Sequence, residues 1–202
     1  VPTIQLGNEK IDASAAAKNL GYLKRTWTGK EIEPSMGKMT VTQNIDEPAF
    51  GSLSLIYTEE IDKIEKNNTG IGIDKKMYLI QDGKEVLITP TTVLQLGDLI
   101  RIRLQVETNQ TLEFVHIKDT KASGTENVQA LSGHQSAGNL YYYQAMHDAS
   151  TDFFIDYLAR GKHHLTYDLR VSGKGIQSTG YALVECMYAP EFRANTKSDL
   201  IL

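Results

Sequence analysis

The dominant spacing of apolar residues along this chain is two. Leu99 to Glu107 puts Ile100, Ile102, Leu104 and Val106 on one face and Arg101, Arg103, Gln105 and Glu107 on the other. In an extended chain successive side chains point to opposite faces, so this is the signature of a half-buried strand. Leu165 to Ser172 repeats it, with Leu165, Tyr167, Leu169 and Val171 sharing one face. Further strands are expected at Met39 to Gln43, Ser52 to Thr58, Met77 to Gln81, Glu85 to Thr89, Leu112 to Lys118, Phe153 to Leu158 and Tyr181 to Met187. Asp82-Gly83 lies between two apolar runs, where Gly adopts positive φ cheaply, and reads as a hairpin turn. Gly97-Asp98, Arg160-Gly161 and Gly173-Lys174-Gly175 mark further breaks.

Helical spacing is scarce. Ala13 to Lys18 could form one turn, and Ile61 and Ile64 suit a short amphipathic turn within Glu59 to Lys66. Neither has the length of an independently stable helix. Many short strands with regular turns predict an all-β chain built as an antiparallel β-sandwich. The polar stretch Lys66-Asn67-Asn68-Thr69-Gly70 is the expected boundary. Residues 69–202 then suit one sandwich. Residues 1–68 supply three or four strands, few for a free-standing core, and are expected to be a β-rich partial domain.

Composition narrows the function. At 202 residues, 41% hydrophobic and 23% charged, the chain can bury a core and is not broadly disordered. A formal net charge of −4 without a basic run argues against nucleic acid. No stretch approaches the roughly 18 apolar residues of a membrane helix. The chain opens on Val-Pro-Thr-Ile-Gln-Leu without an initiator Met and reads as an excised piece of something longer. Its lone cysteine, Cys186, lies in an apolar run and is expected to be buried and unreactive.

The residues with chemical potential each have a simpler reading. His163 and His164 are adjacent on a strand, so they point apart and cannot jointly chelate a metal. Met146-His147-Asp148, with Ser150 and Asp152 near, offers an imidazole, a hydroxyl and carboxylates. No Gly-x-Ser-x-Gly elbow accompanies them, and an ordinary polar loop accounts for them. Tyr141-Tyr142-Tyr143 could stack a ligand, but three tyrosines in succession on a strand mean alternate burial. Asn67-Asn68-Thr69 and Asn109-Gln110-Thr111 match the N-glycosylation pattern and are taken as chance. The expectation is no catalytic residue, no cofactor and no metal site.

Three segments carry a family resemblance. They are Asp152 to Lys162, reading Asp-Phe-Phe-Ile-Asp-Tyr-Leu-Ala-Arg-Gly-Lys, then Leu165-Thr-Tyr-Asp-Leu-Arg-Val, and Met187-Tyr-Ala-Pro-Glu-Phe192. Together they resemble the last macroglobulin-like domain of bacterial alpha-2-macroglobulins, although Ile155 separates the Phe pair from Asp156. Gly97-Asp-Leu-Ile-Arg-Ile-Arg-Leu, Gly21 to Trp27 and the stretch from Phe50 to Lys63 are similar to earlier parts of that region, with a departure at Ser52 to Ile56 where aromatic residues are usual.

The resemblance implies a non-catalytic scaffold fragment of a large periplasmic or cell-surface protease trap. In such proteins a bait segment is cut, domains rearrange, and a Cys-Gly-Glu-Gln thioester can capture the protease. This chain has no such motif, since Cys186 is followed by Met187-Tyr188-Ala189. Residues 1–68 would follow the thioester domain of the parent, and 69–202 would be the terminal sandwich. The implied partners are the parent's other domains, including its thioester domain, and the proteases it traps. No nucleic acid and no membrane insertion by this fragment are expected. A free-standing adhesive or carbohydrate-binding β-sandwich is the competing reading. It would show an exposed aromatic platform, where a macroglobulin fragment would show open sheet edges or an exposed apolar face in its first part.

Overall fold

The computed structural model describes residues 2–14, 21–44, 46, 48 and 51–201, and the chain divides into two compact units, 1–56 and 57–202. Residues 15–18 of the expected Ala13 to Lys18 turn, and Phe50, lie outside the described residues.

The first unit carries three strands, β1 (Thr3–Leu6), β2 (Glu9–Ile11) and β3 (Met39–Thr42), in the order β2-β1-β3, all antiparallel. Leu6, Ile11 and Ala13 are buried. Every residue of β3 is exposed, Met39 and Val41 included. Ser52 to Thr58 departs from expectation: residues 51–60 form no strand and are all exposed. The alternation of Leu53 and Leu55 is real. A strand also needs a neighbour for its N–H and C=O groups, and among the described residues none pairs with this segment. The other expected helical turn shrinks to one 3-10 turn at Ile61–Lys63.

The second unit is an antiparallel sandwich. Its strands are β4 (Asn67–Thr69), β5 (Ile71–Gln81), β6 (Lys84–Leu87), β7 (Leu99–Thr108), β8 (Leu112–Thr120), β9 (Thr125–Asn127), β10 (Gly133–Ala137), β11 (Leu140–Met146), β12 (Ser150–Leu158), β13 (Gly161–Val171), β14 (Gln177–Ser178), β15 (Ala182–Cys186), β16 (Ala189–Asn195) and β17 (Leu200–Ile201). One sheet runs β10-β11-β12-β8-β15-β16-β4 and the other β6-β5-β7-β13-β9, with β14 and β17 as a separate pair. The expected boundary stretch thus contains β4, which pairs with β16 in this unit.

The core is what the alternation predicts. Ile100, Ile102, Leu104, Leu165, Tyr167, Leu169 and Val171 are all buried, facing Val115, Ile117, Phe153, Ile155 and Val184 of the other sheet. Each such side chain stabilises by about 1.5–3 kcal/mol through burial.

The C-terminal stretch corrects the sequence reading. By sequence alone Pro190, which has no N–H for the ladder, would stop regular pairing, and the polar run from Arg193 would be a loose tail. Instead β16 continues to Asn195 and pairs with β15 and β4. The register shifts between Glu185 and Cys186, so Pro190 falls in the irregular part of the hairpin, where its missing N–H is not needed. Ala194, Thr196, Ser198 and Ile201 are buried. The apolar side chains flanking Pro190 could all fold onto the sheet, but Met187 is exposed, whereas Phe192 packs on the core.

Candidate functional site

The outward face of the seven-stranded sheet carries one residue per strand in a continuous row: His134, Tyr143, Phe154, His116, Glu185, Arg193 and Thr69. These are direct cross-strand neighbours, the spacing at which side chains on one face touch. His134 meets Tyr143 edge-on at 5.1 Å between centroids and stacks on Tyr141 at 5.3 Å. His116 stacks on Phe154 at 4.7 Å. Tyr142 turns inward, against Phe153, so the three tyrosines alternate in burial. Burial alone holds the Tyr142 phenol above its ordinary pKa.

Below this row lies Asp152, whose carboxylate is nearly buried. Ser150 Oγ donates to its Oδ2 at 2.7 Å, and His116 Nε2 lies 2.8 Å from its Oδ1. His147 Nε2 is 3.8 Å from Oδ2, and His116 Nδ1 is 3.9 Å from Glu185 Oε1. The residues singled out around His147 therefore do meet, joined by His116. The order is wrong for acyl transfer, however. A nucleophilic serine gives its proton to an imidazole, and the Ser150 hydroxyl is committed to the carboxylate. The group instead fixes the His116 ring upright against Phe154.

His163 and His164 sit on β13 opposite Val106 and Gln105, and His163 Nε2 contacts Ala159 O at 2.8 Å. Among the described residues no group of three or more His, Cys, Asp or Glu side chains is placed to hold a metal ion. Cys186 is buried, its thiol donating to Glu113 O at 3.0 Å.

At the β15–β16 turn the surface becomes apolar. Met187 is 54% exposed and Tyr188 79%, and Tyr188 meets Phe114 edge-on at 5.2 Å. Phe114, itself exposed, holds φ at +53°, and its carbonyl accepts from Met187 N at 2.9 Å. A bulky residue in left-handed backbone is held there at a cost of order 1–3 kcal/mol, and such positions concentrate at functional surfaces.

A second polar group lies between the sheets. Lys75 Nζ on β5 lies 2.6 Å from Asp119 Oδ1 on β8 and donates to Thr120 O and Thr179 O at 3.1 and 3.0 Å. Tyr167 of β13 donates to Asp119 Oδ2 at 2.8 Å. Burial first, and Asp119 second, raise the Tyr167 phenol well above its ordinary range. Parity carried the signal for this group. Lys75 continues the inward series Ile71, Ile73, Lys75, Met77, and Asp119 continues Val115, Ile117, Asp119. His116 and Phe154 were equally legible as outward positions on strands already expected.

The family model described as the bacterial alpha-2-macroglobulin MG10 domain matches residues 70–191. Comparison with curated proteins gives no match. Among solved structures, Salmonella alpha-2-macroglobulin reacted with methylamine is similar at 18% identity and a TM-score of 0.57, over 69% of this chain and 9% of that one. Escherichia coli alpha-2-macroglobulin activated by porcine elastase is similar at 18% identity and a TM-score of 0.57, over 69% of this chain and 13% of its own. The native Escherichia coli protein from domain MG7 to the C-terminus gives 18% identity and a TM-score of 0.54, over 68% and 24%. The chain thus spans a small part of each of these structures.

Proposed function

The chain belongs to the bacterial alpha-2-macroglobulin MG10 domain family, and from that membership we propose that it is a non-catalytic scaffold within a protease trap. In this reading residues 57–202 form the terminal macroglobulin-like sandwich. Residues 1–56 are the trailing part of the domain that brackets the parent's thioester domain. The fully exposed β3 and the Ser52 to Thr58 segment, unpaired among the described residues, support this, because both have the surface of a sheet whose remaining strands belong elsewhere in the parent. The parent would act in the periplasm or at the cell surface. Among the described residues no helix is long and apolar enough to cross a membrane.

The observation that carries the mechanism is the exposed cluster of Met187 and Tyr188, at the β15–β16 turn, with Phe114 of β8. Large apolar side chains left in water beside a strained backbone gain most by docking, and a hairpin paired on either side with β8 and β4 presents them at little ordering cost. The partner is another domain of the parent, its thioester domain first. The similar Escherichia coli protein was activated by porcine elastase, which supports a protease as the parent's target. The test is the full-length parent carrying Phe114→Ala and Tyr188→Ala, challenged with pancreatic elastase. Both substitutions should leave the melting of the 57–202 unit nearly unchanged and reduce the fraction of elastase retained. Undiminished retention would remove the docking role.

The aromatic row on the outer face favours one second reading, a carbohydrate platform of Tyr141, Tyr143 and Phe154. Affinity electrophoresis in polysaccharide gels separates the two, since only the platform predicts retardation that Tyr141→Ala abolishes.

A further inference from the structure

The buried group between the sheets has the composition and contacts of an amide-forming site. We infer that Lys75 and Asp119 condense in the folded protein to an intramolecular isopeptide bond, with Tyr167 stabilising the reacting carboxyl. The inference is independent of the trapping role and concerns a single self-modification, not turnover.

The two reacting side chains are 6% and 0% exposed and lie 2.6 Å apart, Nζ to Oδ1. They come from strands of opposite sheets, 44 residues apart in sequence, so only the folded sandwich brings them together. Holding an amine and a carboxyl in contact replaces a bimolecular encounter by an intramolecular step. In bulk water the amide would not form to any extent. Here the core excludes water, and condensation removes two buried charges that are costly to keep out of solvent.

The donor inventory balances at every stage. One proton passes from the Lys75 ammonium to Asp119 Oδ1, leaving an amine and a carboxylic acid. The Nζ lone pair adds to Cγ, forming the N–C bond, and the C=O electron pair moves onto Oδ2. That oxygen already accepts the Tyr167 hydrogen bond at 2.8 Å, which places a fixed donor where charge develops. A second proton passes from nitrogen to Oδ1, the C–Oδ1 bond breaks, and Oδ1 leaves as water. Oδ2 becomes the amide carbonyl oxygen, still bonded to Tyr167. The one hydrogen left on nitrogen is held by Thr120 O or Thr179 O, which already accept from Nζ. No oxidant or cofactor enters, and Tyr167 keeps its proton, as its raised pKa requires.

Gly180 gives the second carbonyl, Thr179 O, its approach to Lys75. It holds φ at +69°, and a Cβ there would lie 2.1 Å from Thr120 O. Only glycine lets this backbone pass so close, and that approach brings Thr179 O to Lys75.

The experiment is intact mass measurement of the full 202-residue chain, purified folded and then denatured, with peptide mapping by tandem mass spectrometry. The expected result is a mass lower than the sequence mass by one water, and a branched peptide joining Lys75 to Asp119. In Tyr167→Phe, which keeps the ring in the core, the unmodified fraction should rise several-fold at a fixed time after folding. Folded protein at the full sequence mass would overturn the inference. So would a water loss mapped elsewhere, for example to a succinimide at Asp82-Gly83.

Discussion

Tyr167 reaches from the five-stranded sheet to Asp119 of the seven-stranded sheet, its hydroxyl 2.8 Å from Oδ2, with both residues buried. An oxygen in that position has no water to replace a lost donor. Tyr167→Phe therefore leaves Asp119 short of one hydrogen bond at nearly constant volume, a loss of about 1–3 kcal/mol. Urea unfolding should give a lower midpoint. An unchanged midpoint would mean that Tyr167 and Asp119 do not meet.

The same contact sets a pH dependence. Burial and the neighbouring Asp119 raise the Tyr167 phenol well above its ordinary value of 10.0, and burial raises Tyr142 in the same direction. For a group raised by folding, the neutral form is the one the native state favours. Its stabilising contribution is complete below the unfolded value and is lost as pH rises through the folded one. Stability should therefore fall on the alkaline side, beginning near pH 10, and Tyr167→Phe should flatten that fall. Thermal melts between neutral pH and the alkaline limit check this, and identical slopes for the two proteins would refute it.

Gly180→Ala meets both a steric and a conformational obstacle, a Cβ 2.1 Å from Thr120 O and φ at +69°. Forcing alanine into such backbone costs more than the roughly 0.4–1 kcal/mol that the substitution gains at a compatible site. The melting temperature should drop. A rise would show that this turn relaxes freely.

The sandwich was readable because its strands are wet on one face, so the period of two survives in the sequence. Leu99 to Glu107 and Leu165 to Ser172 lie where the alternation places them. The reading failed where pattern and partner part company. Ser52 to Thr58 alternates but has no described strand to pair with. β16 pairs although Pro190 stands in it, because the bulge absorbs the missing donor. Short strands such as β4 and β14 have no pattern to read, and pairing alone makes them strands. The candidate surfaces fared similarly. The tyrosine triplet announced its own alternation, whereas His116 gains meaning only from Phe154 and Asp152 on a neighbouring strand.

Cys186 tests the packing of β15. It is 5% exposed, and its thiol donates to Glu113 O. Thiolate formation needs exposure and stabilising charge, so a thiol reagent should label it slowly in native protein and rapidly in denaturant. Equal rates in both states would show that β15 is open at its C-terminal end.

The C-terminal tail offers the sharpest contrast between sequence and structure. Its polar composition, Arg193-Ala-Asn-Thr-Lys-Ser-Asp199, suggests a segment that can be removed. The structure instead tucks its small polar residues inward. Thr196 Oγ1 accepts from Ala182 N at 2.9 Å, and Ser198 Oγ lies 2.7 Å from Ser178 Oγ. Ile201 then closes the core while β17 pairs with β14. Truncation after Ser198 removes that isoleucine and leaves β14 without its partner. Loss of a buried Ile side chain costs about 2–5 kcal/mol, a large share of the net stability of a domain of this size. The truncated chain should melt well below the intact one, and Ile201→Ala should account for most of the difference. If truncation leaves the melt unchanged, the tail is not part of the fold, and the core ends at β16.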